Sequence, residues 1–385
     1  MKIIPYGRQF IGNDDVKAVK RALKKDLITT GEEVKNFESM FSKKTGVKYS
    51  VSCSNGTSGL LLAYLAIGIK KNDVIIMPSI NFVASINMAY FIGAKVFLTD
   101  VDPSTGIMRA KDLEACIKKY NLKKIHTIVT MHNGGIPSNM KNFLYLKKKY
   151  RFNIIEDACH ALGGSYLSKK EKVGNCKYSE ITVFSFHPVK NITTGEGGMI
   201  TTNNKKIYEK LIIYRSHGMI RENSNKNKYV WNYKIITPGF NFRLNDLQSA
   251  LGISQMKKLN LFINKRKAIV KRYKKNLSSM NKVLSFFDDG QNTIPAYHLF
   301  IINLKLKKIH ITRDQIIKKL FKSGILTQVH YIPIFLFPYY KKFYKSKNFK
   351  NAMKYYNSSL SIPIYYSLTF KEVDYISEKI KEIVK

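Results

Sequence analysis

The sequence lacks any run of about eighteen or more apolar residues, and this absence excludes a membrane-spanning helix. The opening residues, MKIIPYGRQF, lack the apolar core of a signal peptide, so we expect a cytoplasmic protein with no membrane partner. Cysteine is scarce, no CxxC pair occurs, and no histidine cluster has the spacing of a metal site. We therefore expect free, buried thiols and no bound metal.

Acidic residues are also scarce, since 26 Asp and Glu stand against 66 Lys and Arg, which gives a net charge of +40. Such a balance is typical of some nucleic-acid-binding proteins. Here the basic residues are scattered along the chain, and no RRM, zinc-finger or arginine-rich signature accompanies them. We interpret the charge as a solvated surface that attracts anionic substrates, and we predict no nucleic-acid partner.

The length of 385 residues suits one large α/β domain followed by a smaller one. From about residue 45 to 240, short β-rich runs alternate with helical runs, and this rhythm predicts a largely parallel sheet covered by helices. A helix over residues 81–93 should end at Gly93. The other segments of this pattern are 74–80, 95–102, 125–132, 142–150, 153–159, 180–186 and 198–203.

The two ends of the chain differ from the middle. Asn13 is a plausible N-cap for a first helix from Asp14 to Lys25. After about residue 245 the pattern changes to a long helix or helix pair, followed by a smaller α+β region. That region contains AYHLFIINL (296–304), TQVHYIPI (327–334) and a last helix near 370–384. We place an N-terminal arm and the large domain in residues 1–250, and the small domain in residues 251–385.

The segment Ser54–Gly59 carries small and hydroxyl side chains directly before the apolar run LLLAYLAIG. Free backbone N–H groups and the helix dipole make such a helix start an anion site. An ordinary helix cap with a capping hydroxyl accounts for the same residues and is favoured when the segment is taken alone.

A second segment, Ile154–His160, is an apolar strand that ends in the carboxylate of Asp157. Ligands of open α/β sheets bind at the carboxyl ends of the strands. A carboxylate there can keep the pyridine nitrogen of pyridoxal phosphate (PLP) protonated, so that the ring withdraws electrons. An aspartate that merely caps the next loop accounts equally well for this segment alone.

A third segment places Lys190 just after the apolar strand 180–186 and before a loop rich in threonine and glycine. Burial and neighbouring cations would lower the pKa of this amine and free it for a Schiff base. Most lysines of this chain are surface residues, and only the setting distinguishes Lys190. A fourth segment, Pro238–Asp246, holds Asn241 and Arg243 between aromatic residues, which is also typical of a turn that packs two domains together.

Taken in order, the motifs SNGTSGL, PSINFVAS, EDACHALGG, FSFHPVK with TTGEGG, RSHG and GFNFRLNDLQSALG resemble those of the DegT/DnrJ/EryC1/StrS sugar aminotransferases. The resemblance extends from Ile4 to about Pro363. It implies an α/β fold of fold-type I, the PLP-dependent transferases that resemble aspartate aminotransferase. The chain departs from relatives at Asn191, where many carry proline, and at Gly56, where some carry alanine.

The resemblance also implies a role for each motif residue. Lys190 would form the Schiff base and carry the proton, Asp157 would pair with the pyridine nitrogen, and His160 would contact the cofactor near its O3′. Phe82 would stack on the ring, although its position alone favours a core residue. The phosphate would be held by Gly56, Thr57, Ser58 and Ser185, and by Asn241 of the partner subunit, because these enzymes build each site at a homodimer interface.

The sugar-nucleotide pocket would be lined by Tyr6, Ile28, Thr29, Thr30, Gly31, His217, Gln328, Val329, His330 and Tyr331. A structural role would account equally well for His217 and His330. The implied reaction transfers an amino group from L-glutamate, which leaves as 2-oxoglutarate, to C4 of a nucleotide-linked 4-keto-6-deoxy sugar. The cofactor would pass through its pyridoxamine phosphate form.

Within the family, the chain most resembles the branch that aminates a UDP-linked sugar in pseudaminic acid biosynthesis. Alternatives are an aminotransferase for a GDP-perosamine or UDP-4-amino-arabinose type of sugar, and a regulatory protein that keeps the fold without turnover. A dehydratase is disfavoured, because those relatives carry histidine in place of the lysine at 190.

Overall fold

The computed structural model describes residues 3–167, 171–220, 231–287 and 293–384. Its helices are α1 (Asn13–Ala22), α2 (Glu32–Thr45), α3 (Gly56–Ala66), α4 (Val83–Ile92), α5 (Ala110–Lys119), α6 (Met140–Tyr150), α7 (Lys205–Arg215), α8 (Asp246–Lys257), α9 (Leu259–Asn276), α10 (Arg313–Lys322), α11 (Pro338–Lys341), α12 (Lys350–Ser358) and α13 (Phe370–Val384). Its strands are β1 (Tyr49–Cys53), β2 (Val74–Pro78), β3 (Lys95–Thr99), β4 (Thr127–Met131), β5 (Asn153–Asp157), β6 (Ile181–Ser185), β7 (Gly198–Thr202), β8 (Met219–Ile220), β9 (Lys234–Ile235), β10 (Leu284–Phe286), β11 (Phe300–Leu304) and β12 (Ser359–Ile362).

The main sheet has seven strands in the order β1-β7-β6-β5-β4-β2-β3. Only β7 runs against its neighbours within this sheet, and the remaining pairs are parallel. The prediction of a largely parallel sheet covered by helices is therefore confirmed. Because six strands point the same way, their carboxyl ends meet along one edge, where ligands of such sheets bind.

Both faces of this sheet are covered by apolar cores. Consecutive strand residues fall on opposite faces, so Ile75 and Ile155 pack into one core while Ile76 and Ile154 pack into the other. The strands are accordingly almost continuous apolar or β-branched runs, as in the fully buried TIVTM of β4.

Helix α3 is apolar on all sides and lies directly against the sheet. A Cβ atom at Gly59 would come within 2.9 Å of Cγ1 of Val183, so the glycine permits the close approach of this helix to β6. The first residue of α3, Gly56, would likewise bring a Cβ atom to 3.1 Å from Cβ of Ser185. This packing brings the start of α3 beside the end of β6.

The first helix begins one residue earlier than predicted. Gly12 is its N-cap, and the carboxylate of Asp15 reaches back to accept a hydrogen bond from the Gly12 N–H at 2.8 Å. The assignment of Asn13 as N-cap is therefore wrong, because the cap is closed by an acid inside the helix. The prediction that Gly93 ends its helix is confirmed, with Gly93 in the left-handed conformation after α4.

The region after residue 245 contains the predicted helix pair, α8 and α9, and ends in the predicted helix α13. A third core, which also includes Ile4, joins α9, α10 and α13 to the antiparallel sheet β10-β11-β12. The segment 296–304 forms β11 from Phe300 onward. The segment 327–334 forms no named strand, and only Gln328 makes a single bridge, to Ser361.

Helix α8 spans the predicted domain division between residues 250 and 251. It packs against α1 and α2, whereas α9 packs against α13. The division at that residue stays a prediction.

None of the helices in the described ranges is long and apolar enough to cross a bilayer. All four cysteines are free thiols, and three of them are buried: Cys53, Cys116 and Cys176.

Candidate active site

A cavity of about 810 Å³ opens at the carboxyl edge of the main sheet. Met131, Asp157 and Ser185, the last residues of β4, β5 and β6, form its floor. A volume of this size suits a cofactor together with part of a substrate. The other lining residues are Tyr6, Asn55, Gly56, Thr57, Leu60, Asn81, Phe82, Val83, Ala84, Cys159, His160, His187, Val189, Lys190, Glu196, His298, Gln328, Val329, His330, Tyr331, Ile332 and Phe337.

Asp157 is buried at the end of β5, and both of its carboxylate oxygens are fixed. Oδ2 accepts a hydrogen bond from the Ser85 hydroxyl at 3.2 Å, and Oδ1 accepts one from the Cys159 N–H at 3.2 Å. These bonds hold the carboxylate in one orientation beside the cavity.

Lys190 lies in a turn, five residues after the end of β6, and its N–H donates to the His187 carbonyl at 2.8 Å. Burial lowers the pKa of its amine, while the charges of Cys159 and Asp157 oppose that shift. A lysine with a lowered pKa holds a larger neutral fraction, which is the nucleophilic form.

The start of α3 faces the same cavity. The Asn55 side chain caps this helix by accepting a hydrogen bond from the Ser58 N–H at 2.8 Å. Gly56 and Thr57 line the cavity, so the first-turn N–H groups and the positive end of the helix dipole point toward it.

Ser58 differs from its predicted role. It does not line the cavity, and its hydroxyl donates to the Asn55 carbonyl at 2.8 Å while accepting from the Asn55 N–H at 3.1 Å. The side chain is thus committed to the helix cap, and the geometry gives it a part in forming the loop rather than in contacting a ligand. The helix cap that this segment predicts is therefore formed by Asn55 and Ser58, and the anion site at Gly56 and Thr57 stays a prediction.

Four aromatic and imidazole rings cluster over the cavity. His160 is buried, its Nε2 is 2.8 Å from the Tyr331 hydroxyl, and its ring centroid is 4.3 Å from that of His298. His330 is held by a 2.8 Å contact between its Nδ1 and the Ser361 hydroxyl. Burial lowers the pKa of His160 and of His298 well below the usual value and that of His330 to about 3, so all three imidazoles are neutral.

Phe82 is 51% exposed and lies at the cavity wall, where it precedes the first residue of α4. Its ring centroid is 5.7 Å from that of Tyr331. Exposure of a large aromatic side chain into a cavity argues against the core position that the sequence alone favoured. Tyr6 lies on the same side, with its ring 5.6 Å from that of His330.

Three predicted positions do not reach this cavity within one chain. The turn Ile28–Gly31 is tied to the start of α8, since the Gly31 N–H donates to the Asp246 carboxylate at 2.8 Å. His217 and Asn241 are exposed and lie next to each other, because Ser216 makes a bridge to Asn241. The remaining predicted pocket residues, Gln328, Val329, His330, Tyr331 and Tyr6, all line the cavity.

Several lining residues were missed from the sequence. Asn81 is fully buried, and neither polar atom of its side chain has a hydrogen-bond partner in the protein. Buried polar atoms are normally paired, so this side chain is a candidate to hydrogen-bond a ligand in the cavity. Asn81 and Ser85 belong to the PSINFVAS motif, so the motif contained the signal. His298 was detectable as one of the few polar residues in the run AYHLFIINL.

The arrangement brings together a nucleophilic amine, a fixed carboxylate and a helix start that attracts anions. Such a set can hold a phosphorylated aromatic cofactor and transfer protons beside it. Within the described ranges, no group of three or more His, Cys, Asp or Glu side chains could hold a metal ion.

Comparison with known proteins agrees with this geometry. The family model described as the DegT/DnrJ/EryC1/StrS aminotransferase family matches residues 9–381. The chain is 35% identical to a UDP-4-amino-4,6-dideoxy-N-acetyl-beta-L-altrosamine transaminase of Campylobacter jejuni, an alignment that covers 100% of this chain and 98% of the relative. It is 32% identical to the spore coat polysaccharide biosynthesis protein SpsC of Bacillus subtilis, over 99% and 97% of the two chains.

Solved structures are similar over the whole chain. Helicobacter pylori PseC, an aminotransferase of pseudaminic acid biosynthesis, superposes with a TM-score of 0.91 at 29% identity and covers 100% of this chain and 99% of its own. A Streptococcus pneumoniae sugar aminotransferase in its PMP form gives a TM-score of 0.91 at 26% identity, with 99% of each chain covered. The fold is therefore the predicted fold-type I α/β fold, and the chain belongs to the DegT/DnrJ/EryC1/StrS family of sugar aminotransferases.

Proposed function

We propose that this chain is a PLP-dependent aminotransferase that transfers an amino group from L-glutamate to C4 of a UDP-linked 4-keto-6-deoxy sugar. The observation that carries the proposal is the convergence of Lys190, Asp157 and the start of α3 on one cavity. An amine, an acid and an anion site in one place are the three groups that a phosphorylated pyridine aldehyde requires.

The residues present fit this cofactor. Gly56, Thr57 and Ser185 would hold its phosphate at the start of α3, and Asp157 would pair with its ring nitrogen. The buried nitrogen Nδ1 of His160 has no partner, so it is available to a polar atom of a bound ring. Phe82 offers an exposed aromatic face for stacking, which requires no hydrogen bond.

When bound, PLP supplies an electron sink that stabilises negative charge at the carbon next to the amino group. The chain supplies position and protons. Lys190 would accept and return a proton at its Nζ atom, and the lowered pKa of this amine increases its neutral fraction. Asp157 would keep its carboxylate aimed by the two bonds from Ser85 and Cys159.

The choice of substrate rests on the relatives. The Campylobacter jejuni relative is named as a transaminase of a UDP-linked amino sugar, and PseC acts in pseudaminic acid biosynthesis. We propose the same class of sugar for this chain, with Tyr6 and the segment from Gln328 to Tyr331 contacting it. Glutamate as the donor, a homodimer with shared sites and a cytoplasmic location complete the proposal.

The first experiment asks which side chain holds the cofactor. PLP-loaded protein is reduced with borohydride, digested and analysed by mass spectrometry. We expect the cofactor mass on the peptide containing Lys190 and its loss in Lys190→Arg, which keeps the positive charge. A label on another lysine, or an unlabelled protein, would contradict the assignment of Lys190.

The second experiment asks for the substrate. Nucleotide-linked 4-keto sugars with UDP, GDP and dTDP are each incubated with glutamate, and amino sugar and 2-oxoglutarate are measured. We expect turnover of the UDP-linked 4-keto-6-deoxy sugar. Turnover restricted to GDP sugars would overturn the substrate and leave the aminotransferase class intact.

A further inference from the structure

Asn191, the residue after Lys190, joins three separate segments through one side chain. It is 6% exposed, and its Nδ2 donates to the Leu162 carbonyl and to the Ala296 carbonyl, each at 3.0 Å. Leu162 lies two residues after His160, and Ala296 lies two residues before His298. One buried amide therefore ties the turn of Lys190 to both segments that carry the stacked histidines.

The carbonyl oxygen of the same amide is unusual. Oδ1 of Asn191 is buried and has no hydrogen-bond partner, and the same holds for Nε of Arg266. Both residues line a second, small cavity of about 10 Å³. Lys190 lines this small cavity as well as the large one, so the lysine borders both cavities.

Arg266 has a buried guanidinium group with one donor that borders the small cavity. Its guanidinium is buried, and Nη1 donates to the carbonyls of Tyr297, His298 and Ile364 at 3.0–3.3 Å. None of the ion pairs found among the described residues involves it, and burial lowers its pKa to about 10. The Nε–H donor thus lacks an acceptor, and the volume of the small cavity limits the size of any acceptor that could bind there. A water molecule needs about 10–15 Å³ and two to four polar partners, whereas a phosphate or carboxylate needs far more space.

We propose that Asn191 is a positioning residue for Lys190, and that it acts with one buried water molecule bound between its Oδ1 and the Nε of Arg266. The water satisfies one acceptor and one donor that the protein leaves open, and it completes the buried layer beside the lysine. The amide hydrogens fix the turn, so that the Lys190 side chain keeps its place in the lining of the cavity that Cys159 and Asp157 also line. The inference rests on the proposed role of Lys190 and names a residue that supports it.

The main test measures the protonation of Lys190 in protein from which the cofactor has been removed. Acetylation of Lys190 by acetic anhydride is followed by mass spectrometry across pH, which gives the pKa of this one amine. In Asn191→Ala the two amide hydrogen bonds are lost and the turn is released, so we expect the pKa of Lys190 to rise toward its ordinary value. A rise of one unit reduces its reactivity near neutral pH about tenfold. Asn191→Leu, which has a similar shape and fills the space, should show the same rise.

A matched control is available in β11. Asn303 is 7% exposed, its Nδ2 donates to the Ser104 carbonyl at 2.7 Å, and its Oδ1 has no partner. Asn303→Ala removes a comparable amide that lines neither cavity, so it should lower thermal stability and leave the acetylation profile unchanged. If both Asn191 variants keep the wild-type profile of Lys190, or if Asn303→Ala shifts it equally, the positioning role is overturned.

The water is tested by a high-resolution crystal structure of the same cofactor-free protein. We expect one density peak within hydrogen-bond distance of both Oδ1 of Asn191 and Nε of Arg266, and its absence in Asn191→Leu. An empty cavity in the wild-type protein would overturn the water, and a direct contact between the two side chains would do so too. Neither measurement uses the sugar or PLP, so a wrong substrate for the proposed function would leave both results readable.

In the loaded enzyme, Asn191→Ala should lower kcat about tenfold or more and change KM less than about twofold, because the displaced group acts in the chemical step. A rise in KM of similar size with an unchanged kcat would point to a substrate contact instead and would contradict a positioning role.

Discussion

Two groups of predicted site residues behave differently in this chain. Gly56, Phe82, Asp157, Ser185 and Lys190 all line one cavity, although they come from four separate segments of the chain. The turn Ile28–Gly31, His217 and Asn241 lie outside that cavity, and the last two are exposed. The first group is assembled by the sheet, since strand ends converge along one edge, whereas the second belongs to turns that do not line this cavity.

The difference shows which part of the site one chain can form without a partner subunit. The parallel strands deliver the carboxylate, the lysine turn and the helix start to one edge. The second group needs another surface to become useful. Exposed apolar side chains lie within or beside it, namely Ile28 in the turn and Ile235 and Ile236 beside the segment that follows His217. An exposed apolar face next to polar site residues is typical of a subunit interface. The proposed homodimer would bring these residues to the partner's cavity.

The largest expected effect concerns the group inside the cavity. Asp157→Asn keeps the shape of the side chain and removes its charge, so the ring nitrogen would no longer be held protonated. We expect kcat to fall by about a thousandfold, which is within the usual range for loss of a group that controls protonation. The measurement is steady-state turnover of the UDP-linked keto sugar with glutamate.

Glu156 provides the control for this substitution on the same strand. It is fully buried, and its carboxylate contacts Nε2 of His132 at 2.8 Å and accepts from the hydroxyls of Ser179 and Tyr166. Glu156→Gln disturbs a network on the opposite face of β5, so it should lower stability and change kcat far less than Asp157→Asn. Equal losses of kcat in the two variants would remove the distinction between them.

The next expected effect tests the group outside the cavity. Asn241→Ala and Lys190→Ala should each be nearly inactive alone. If Asn241 serves the partner's cavity, a mixed dimer of the two variants contains one complete site and one site that lacks both residues. Because half of the dimers are mixed and half of their sites are complete, activity should return to about one quarter of the wild-type value. Turnover is measured after the two variants are unfolded and refolded together.

The same mixture distinguishes the alternatives. If Asn241 acted within its own chain, every site of the mixed dimer would lack one residue and no activity would return. The control mixes Lys190→Ala with Asp157→Asn, two residues that line the cavity of the same chain. That mixture should regain no activity, because each subunit lacks one residue of its own cavity and no site is complete.

The sheet and its strand ends were predictable from the sequence, because short apolar runs that alternate with helical runs are typical of buried parallel strands. Lys190 and Asp157 were detectable for this reason. The sequence favours Asn13 over Gly12 as the first helix cap, because asparagine is a preferred N-cap residue. Residue preferences alone do not include the hydrogen bond from the Gly12 N–H to the Asp15 carboxylate. Boundaries of this kind depend on one side-chain contact.

Other parts depended on tertiary contacts that no local pattern contains. The segment 327–334 resembles a strand in composition, yet only Gln328 bridges to β12, and the following residues turn their side chains into the cavity. The pairing of His160 with His298 joins positions that are distant in sequence. Whether Asn241 reaches another cavity is a property of two chains and was accessible only through the family resemblance.

A smaller effect concerns the pH dependence of stability, which should differ between buried and exposed histidines. Burial lowers the pKa of His160, His298 and His330 in the folded protein, whereas an unfolded histidine has a pKa of about 6.5. Below about pH 6.5 the unfolded chain therefore binds more protons than the folded protein. The free energy of unfolding falls as the pH is lowered from about 6.5 toward the pKa values of the folded histidines. Each such histidine contributes about 1.4 kcal/mol per pH unit.

His298→Gln isolates one of these contributions in cofactor-free protein. Urea unfolding between about pH 5.5 and pH 4 should show a slope reduced by about 1.4 kcal/mol per pH unit relative to the wild type. The exposed His217 gives the comparison, as His217→Gln removes a histidine without removing a buried one. A wild-type slope in His298→Gln would mean that this imidazole becomes protonated in the folded state.

The smallest expected effect lies in the contact between Tyr331 and His160. The Tyr331 hydroxyl is 2.8 Å from Nε2 of His160, and its ring lies between Phe82 and the imidazole. Tyr331→Phe keeps the ring and removes one hydrogen bond to a neutral partner, which is worth about 1 kcal/mol, or a factor of about five in kcat/KM. Tyr344→Phe is the control, because its hydroxyl bonds to the Val96 carbonyl at 3.0 Å outside the cavity and should affect stability alone. If Tyr331→Phe matched that control, the segment 328–331 would shape the cavity wall without orienting His160, and its contribution would resemble that of the exposed turns more than that of the strand ends.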